Sequence, residues 1–135
     1  MSALIEIQQA LLQACRADGD LMVKVSGVFD HTPIDSSLPY IVIGEATETP
    51  LNTFEQQSLE VQSTIRIYSG EQGYSEAYDI LQSLTNGLRH IDLPMQHFEL
   101  VSLDYQSGAA VVEDATEEAD NRQVQAIYRM IVQRV

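Results

Sequence analysis

The strictest constraint on this chain is the alternation in two long segments. In LEVQSTIRIYS (59–69), Val61, Ser63, Ile65 and Ile67 fall on one side of an extended backbone, and Gln62, Thr64, Arg66 and Tyr68 on the other. RQVQAIYRMIVQRV (122–135) repeats the pattern with Val124, Ala126, Tyr128, Met130 and Val132. A period of two sends successive side chains to opposite faces, so each segment predicts a half-buried strand. Two other segments carry the helical period. Leu4, Ile7, Leu11 and Ala14/Cys15 recur over 3–17 behind Ser2, a capping residue. Tyr74, Ala77, Leu81, Leu84 and Leu88, with Ile80 beside them, mark 74–90. One-striped helices and one-faced strands bury their apolar sides against each other. The expectation is an α+β fold: a mainly antiparallel sheet of four to five strands, two helices packed on one face, and the order α-(β)-β-β-α-β-β.

The stretch VFDHTPIDSSLPYIVIGE (28–45) fixes how the chain enters that sheet. VFD (28–30) predicts a short strand. Pro33 and Pro39 bracket a turn, and a proline suits the first position of a strand because it has no N–H for the ladder. YIVIGE (40–45) is apolar on both alternating sides, which predicts a central strand buried on both faces. Gly19 is read as a left-handed terminator of the first helix, and LMVKV (21–25) fits a helical turn or a strand start equally well. HFELVSLDY (97–105) is a strand whose phase slips near Leu100–Val101, as at a bulge. ATETPLNTFEQQS (46–58) reads as a polar loop or a splayed hairpin connection, and the stretch 107–121, with five acids in EDATEEADN (113–121), as a polar loop. The length of 135 residues and the 44% hydrophobic content fit one domain over 1–135.

The charge balance narrows the function. Seven Lys+Arg face twenty Asp+Glu, a formal −13, and the cations are scattered. Phosphate contacts need clustered cations, so ordinary nucleic-acid binding is excluded. An acidic surface then serves solubility, repels DNA or imitates it. Cys15, the single cysteine, cannot form an intramolecular disulfide and sits on the apolar helix face, where a free cysteine is a small core residue. Asp30-His31 lacks a partner nucleophile, and neighbours on a strand point to opposite faces. His31, His90 and His97 have no metal-ligand spacing. GEQG (70–73) lacks the lysine and second half of a phosphate loop. No catalytic, metal or cofactor residue is therefore expected, and the protein is read as non-enzymatic. The N-terminus has no basic region ahead of an apolar one, and no apolar run approaches the ~20 residues of a membrane span. A soluble protein made in the cytoplasm, with no membrane partner, is expected.

The order of segments carries one further signal. ALIEIQQALLQACRAD leads into DLMVKVSG, then VFDHTP, a polar gap and PYIVIGE; later STIRIYSGEQGYSEAYDILQSL runs from strand to helix, and a last hairpin opens with LVSLDY. Over its full length the chain resembles the tail-completion proteins of phages and prophages, a head–tail joining family related to tail terminators. The resemblance implies a structural subunit that forms a ring, commonly a hexamer, which completes the tail. Its partners would be further copies of itself and the tail-tube and neck proteins. DNA would pass through the lumen without specific binding. The protein would reside in the host cytoplasm during assembly and then in the virion tail or neck. Candidate contacts with a neighbouring subunit or the tail tube are Leu51, Asn52 and Phe54 in the first polar stretch, and Glu113, Asp114, Glu117 and Glu118 in the second. Leu51 and Phe54 are large apolar residues in polar surroundings; they either anchor in a neighbour's groove or fold back onto their own core. The alternative function is an acidic DNA mimic that inhibits a DNA-binding protein, a reading weakened by the placement of many acids in loops.

Overall fold

The structure, a computed structural model, describes residues 1–52, 57–111 and 122–135. Its elements run α1 (Leu4–Ala17), α2 (Gly19–Met22), β1 (Val28–Phe29), β2 (Tyr40–Asn52), β3 (Gln57–Ser69), α3 (Ser75–Leu88), β4 (Phe98–Val111) and β5 (Arg122–Arg134). The strands form a sheet in the order β1-β2-β3-β5-β4. The fold is α+β and mostly antiparallel, with one parallel addition: β1 pairs Val28 with Ile41 and Phe29 with Val42.

The alternation predicts the register. Ile41 faces Ile67, which faces Val124; Ile43 faces Ile65, which faces Ala126. Toward the other end Val61 faces Met130 and Leu59 faces Val132. These rows share one face, and α1 and α3 cover it. Ile7, Leu11 and Cys15 of α1 and Ala77, Ile80, Leu84 and Leu88 of α3 join the strand residues in one buried cluster. Where Tyr128 enters that layer, its hydroxyl meets Thr85 Oγ1 at 2.8 Å, so the phenol is satisfied inside the core.

The other face has no helix over it among the described residues. It mixes Val42, Ile127 and Ile131 with Gln62, Thr64, Arg66 and Arg129, the composition of an antiparallel sheet side that meets water.

Several expectations need correction. Of the stretch 46–58, the described residues are strand and not loop: β2 continues through Asn52 and β3 begins at Gln57, an antiparallel pair as in the hairpin alternative. Residues 107–111 likewise belong to β4. YIVIGE lies inside the sheet, buried on both faces at Ile41, Val42 and Ile43 and paired with β3 on one side and β1 on the other, although β3 holds the middle position. Gly19 does not end α1 in a left-handed turn. Asp18 does so in extended conformation (φ −82°, ψ 101°), then caps α2 by accepting N–H groups of Asp20 and Leu21. LMVKV resolves as this helical turn. On α3, Ile80 is buried and Leu81 only half-buried, so the stripe centres one residue earlier than its spacing suggests. The phase slip near Leu100–Val101 is a register shift between Leu100 and Ser102.

Candidate assembly surfaces

The strand directions place the two long hairpins at opposite ends of the sheet. β3 pairs Ser58 with Gln133 at one end and Ser69 with Arg122 at the other. Between them lie roughly 35 Å of strand at about 3.3 Å per residue. The β2–β3 connection leaves from the first end, beside the C-terminus of β5 and the start of α1. The β4–β5 connection leaves from the second, beside β1 and the start of α3.

The expected contact residues therefore divide. Leu51 and Asn52 end β2 at the first end, where Leu51 faces Ser58 and Asn52 faces Gln57. Leu51 is half-buried and stands outside the helix-covered cluster. Phe54 lies outside the described residues. So do Glu113, Asp114, Glu117 and Glu118. The described strand ends Asn52 and Val111 lie a full strand length apart.

The first end is tied together by carboxylates that sequence spacing does not reveal. Glu48 of β2 reaches the start of α1: its Oε1 accepts the Ala3 N–H at 2.7 Å and the Ser2 hydroxyl at 3.2 Å. Ser2 Oγ in turn accepts the Leu4 N–H at 3.2 Å. The helix start is thus satisfied partly by Ser2, as expected, and partly by a residue from a strand. Glu6 accepts the N–H groups of Gln96 and His97 at 2.8 and 2.9 Å, fixing the start of β4. Burial pushes the Glu6 carboxyl up, but these N–H groups and the His97 ring outweigh it and hold it below the usual range.

On the uncovered face, Arg66 grips Glu45 with both terminal nitrogens, at 2.7 and 2.5 Å. That bidentate bond is the main reason the Glu45 carboxyl is held down at about 2. Gly44 permits the arrangement, because a Cβ there would collide with the guanidinium. Arg129 pairs with Glu60 at 3.1 Å, and Lys24 with Asp79 at 3.0 Å. Arg16 donates to the Val28 carbonyl at 2.7 Å. These cations are spent on local contacts, so no basic patch forms from them.

Cys15 is 1% exposed, and burial pushes its thiol up to about 12. Asp30 and His31 do meet, contrary to the strand-based argument: His31 Nδ1 is 2.8 Å from Asp30 Oδ1. β1 ends at Phe29, so alternation no longer separates them. Both side chains are solvent-exposed in a bend, and among the described residues no nucleophile is hydrogen-bonded to the pair. Among the described residues no three His, Cys, Asp or Glu side chains are grouped to hold a metal. No helix among them is long and apolar enough to cross a membrane.

Among the described residues, then, the geometry offers a scaffold with two sheet edges that lack a paired strand over most of their length and one face without a helix over it. Solved structures share this fold. One chain described as "Virion of native gene transfer agent (GTA) particle" is similar over 93% of this chain and 93% of its own, with a TM-score of 0.80 and 22% identity. "Structure of bacteriophage SPP1 gp17 protein" is similar over 91% of this chain and 86% of its own, with a TM-score of 0.58 and 22% identity. No curated protein matches the chain. The fold is thus shared with phage and gene-transfer-agent virion proteins. The family described as Tail completion protein gp17 matches residues 9–133, and the chain belongs to it. It is a structural protein of phage tail completion.

Proposed function

We propose that this chain is a ring-forming subunit at the head–tail joint or tail terminus, which completes the tail and leaves a lumen for DNA. The observation that carries the reading is that the described ends of two long strand pairs, Asn52 with Gln57 and Val111 with Gln123, lie at opposite ends of one long sheet. A subunit standing with its strands along the tail axis presents one end of its sheet to the tail tube and the other to the neck. On this reading Leu51, Asn52 and Phe54 contact one neighbour and Glu113, Asp114, Glu117 and Glu118 contact another. The similarity to a gene-transfer-agent virion chain supports it. So does the charge of −13: an acidic wall repels the DNA backbone, so the genome slides instead of binding. The subunit is non-enzymatic and needs no cofactor.

The test is electron microscopy of tail tubes incubated with wild type, with Phe54→Ser, and with a variant whose four acids at 113, 114, 117 and 118 are changed to their amides. Wild type is expected to cap tube ends as a ring. Phe54→Ser, or the amide variant, is expected to lose one of the two axial contacts. A wild type that stays monomeric with assembled tubes and never co-purifies with virions overturns the ring. The same protein displacing DNA from a DNA-binding protein would establish the mimic instead.

A further inference from the structure

We propose that neighbouring copies join head-to-tail through their sheet edges, the outer edge of β4 in one copy lying against the outer edge of β2 in the next. The inference rests on the ring reading and names the surfaces that make the ring. Four strands of 13 or 14 residues lie side by side in the order β2-β3-β5-β4, each antiparallel to its neighbour. Four is an even number, so β2 and β4 run in opposite directions. A copy generated by rotation about an axis along the strands brings its β2 beside the first copy's β4 with antiparallel polarity. That is the pairing that lets a ladder continue. Cyclic repetition therefore extends the sheet at each interface and closes it, which removes the exposed edges.

Among the described residues both edges are unpaired over most of their length. β1 occupies the outer side of β2 opposite Ile41 and Val42 only, leaving Gly44–Asn52 uncovered among the described residues. β4 has β5 on one side and no described strand on the other. Each edge carries apolar surface where the other would meet it. Beside β2, Leu4, Ile5 and Gln8 of α1 line a cleft of about 380 Å³ with Glu45 and Ala46. Ile5 is 66% exposed there. This is the flank of α1 turned away from α3, since Ala10, Gln13 and Ala17 on the opposite flank line the cleft shared with Gly87 and Ile91.

β4, conversely, is the strand the helices cover least. Asp104–Ala109 are all exposed, and Leu103 and Tyr105 border a cleft of about 290 Å³ that opens beside Thr85 and Arg89. Tyr105 folds over Gly108, where a side chain would strike its hydroxyl, and stays 44% exposed. At the bulge, Val101 is 57% exposed. In the head-to-tail arrangement the next copy's α1 flank comes down over this bare part of β4, so Ile5 covers Leu103 and Tyr105. Each subunit's helical layer is completed by its neighbour.

The occupant is a second copy because one chain carries both complementary halves. A two-fold dimer through β4 alone would leave β2 and Ile5 open. The test uses two exposed substitutions, Ile5→Asp on the β2 side and Val101→Asp on the β4 side, with Val23→Asp, 83% exposed, as the charge-matched control. Circular dichroism and thermal melting confirm folding. Assembly is read by sedimentation under conditions where wild type forms its ring. Each edge variant alone is expected to raise the concentration for half-assembly by about tenfold or more, the effect of spoiling one well-packed interface residue. Val23→Asp should match wild type. The deciding measurement is an equimolar mixture: Ile5→Asp keeps a sound β4 edge and Val101→Asp a sound β2 edge, so the two should form a discrete heterodimer that neither forms alone. Wild-type rings with both variants unaffected overturn the edge contact and leave the ring standing. An Ile5→Asp variant that dimerises by itself overturns head-to-tail pairing in favour of the two-fold. A wild type that remains monomeric at every concentration and salt overturns the ring and this interface together.

Discussion

At the scale of single residues, burial and hydrogen bonding decide which substitutions matter. Leu84 is 1% exposed and packs between α3 and the sheet, whereas Leu81 is half-buried. Truncating a fully buried leucine to alanine costs about 2–5 kcal/mol, transfer and cavity together. Leu84→Ala should fall in that range and Leu81→Ala clearly below it, measured by denaturant unfolding; the reverse order would mean the stripe has been placed one residue off. Cys15 should be inert to aqueous thiol reagents at pH 8 in the native state and react once the chain is unfolded, because a thiol raised to about 12 carries almost no thiolate. Fast native labelling would show that the α1 seam opens. Glu45 links structure to pH. Its folded value of about 2 lies below the usual 4.5, so its stabilising effect is full above pH 4.5 and is lost as pH falls from 4.5 toward 2. Glu45→Gln should make stability less steep in that window and change it by no more than ~1 kcal/mol at neutral pH, since the pair is solvent-screened. Parallel acid limbs for variant and wild type would refute the link.

At the scale of elements, what could be read in advance followed from how many faces of a segment are dry. β3 and β5 are covered on one face and paired on both sides, so alternation survived in Val61–Ile67 and Val124–Val132 and located them. The second halves of β2 and β4 have one free edge and little cover on either face. Water then replaces apolar neighbours, and ATETPLN and QSGA carry turn-like residues although they are strand. Pro50 sits in β2 opposite Leu59, tolerated because an edge strand need not donate outward. The contact residues suffered the same limit: Leu51 stood out as apolar in a polar run, but only the register places it in a strand, opposite Ser58. Glu48 was invisible for another reason, since its partners at Ser2 and Ala3 are distant in sequence. Removing it takes away an acceptor at a helix start, a change worth about 1 kcal/mol for capping residues. Glu48→Ala should lower stability by roughly that amount and speed hydrogen exchange at the first amides of α1, leaving α3 unchanged. Equal protection across α1 in both proteins would remove Glu48 from the cap.

At the scale of the whole molecule, the opposing terms are charge and edge. A subunit of −13 repels its copies through solvent, and that repulsion fades with ionic strength as the Debye length shrinks from about 8 Å at 0.15 M to about 3 Å at 1 M. The proposed attraction consists of backbone hydrogen bonds and apolar cover between β4 and α1–β2. Neither is weakened by salt, and burial of apolar surface is strengthened by excluded salts. Assembly should therefore rise with salt, and also as pH falls toward the isoelectric region near 4.3, because protonation removes the same repulsion. The two routes have different limits. Salt leaves Glu45, Glu60 and Glu6 in their bonds, whereas pH below about 4 begins to reach the bonded carboxylates whose loss weakens the subunit itself. The expected profile is a monotonic gain in sedimentation coefficient with salt at neutral pH, against a maximum and then a decline on acidification at fixed salt. Association that instead weakens as salt is added would mean that opposite charges hold the copies together. In that case the acidic surface would be the adhesive rather than the barrier, and the edge-to-edge arrangement would lose its physical basis.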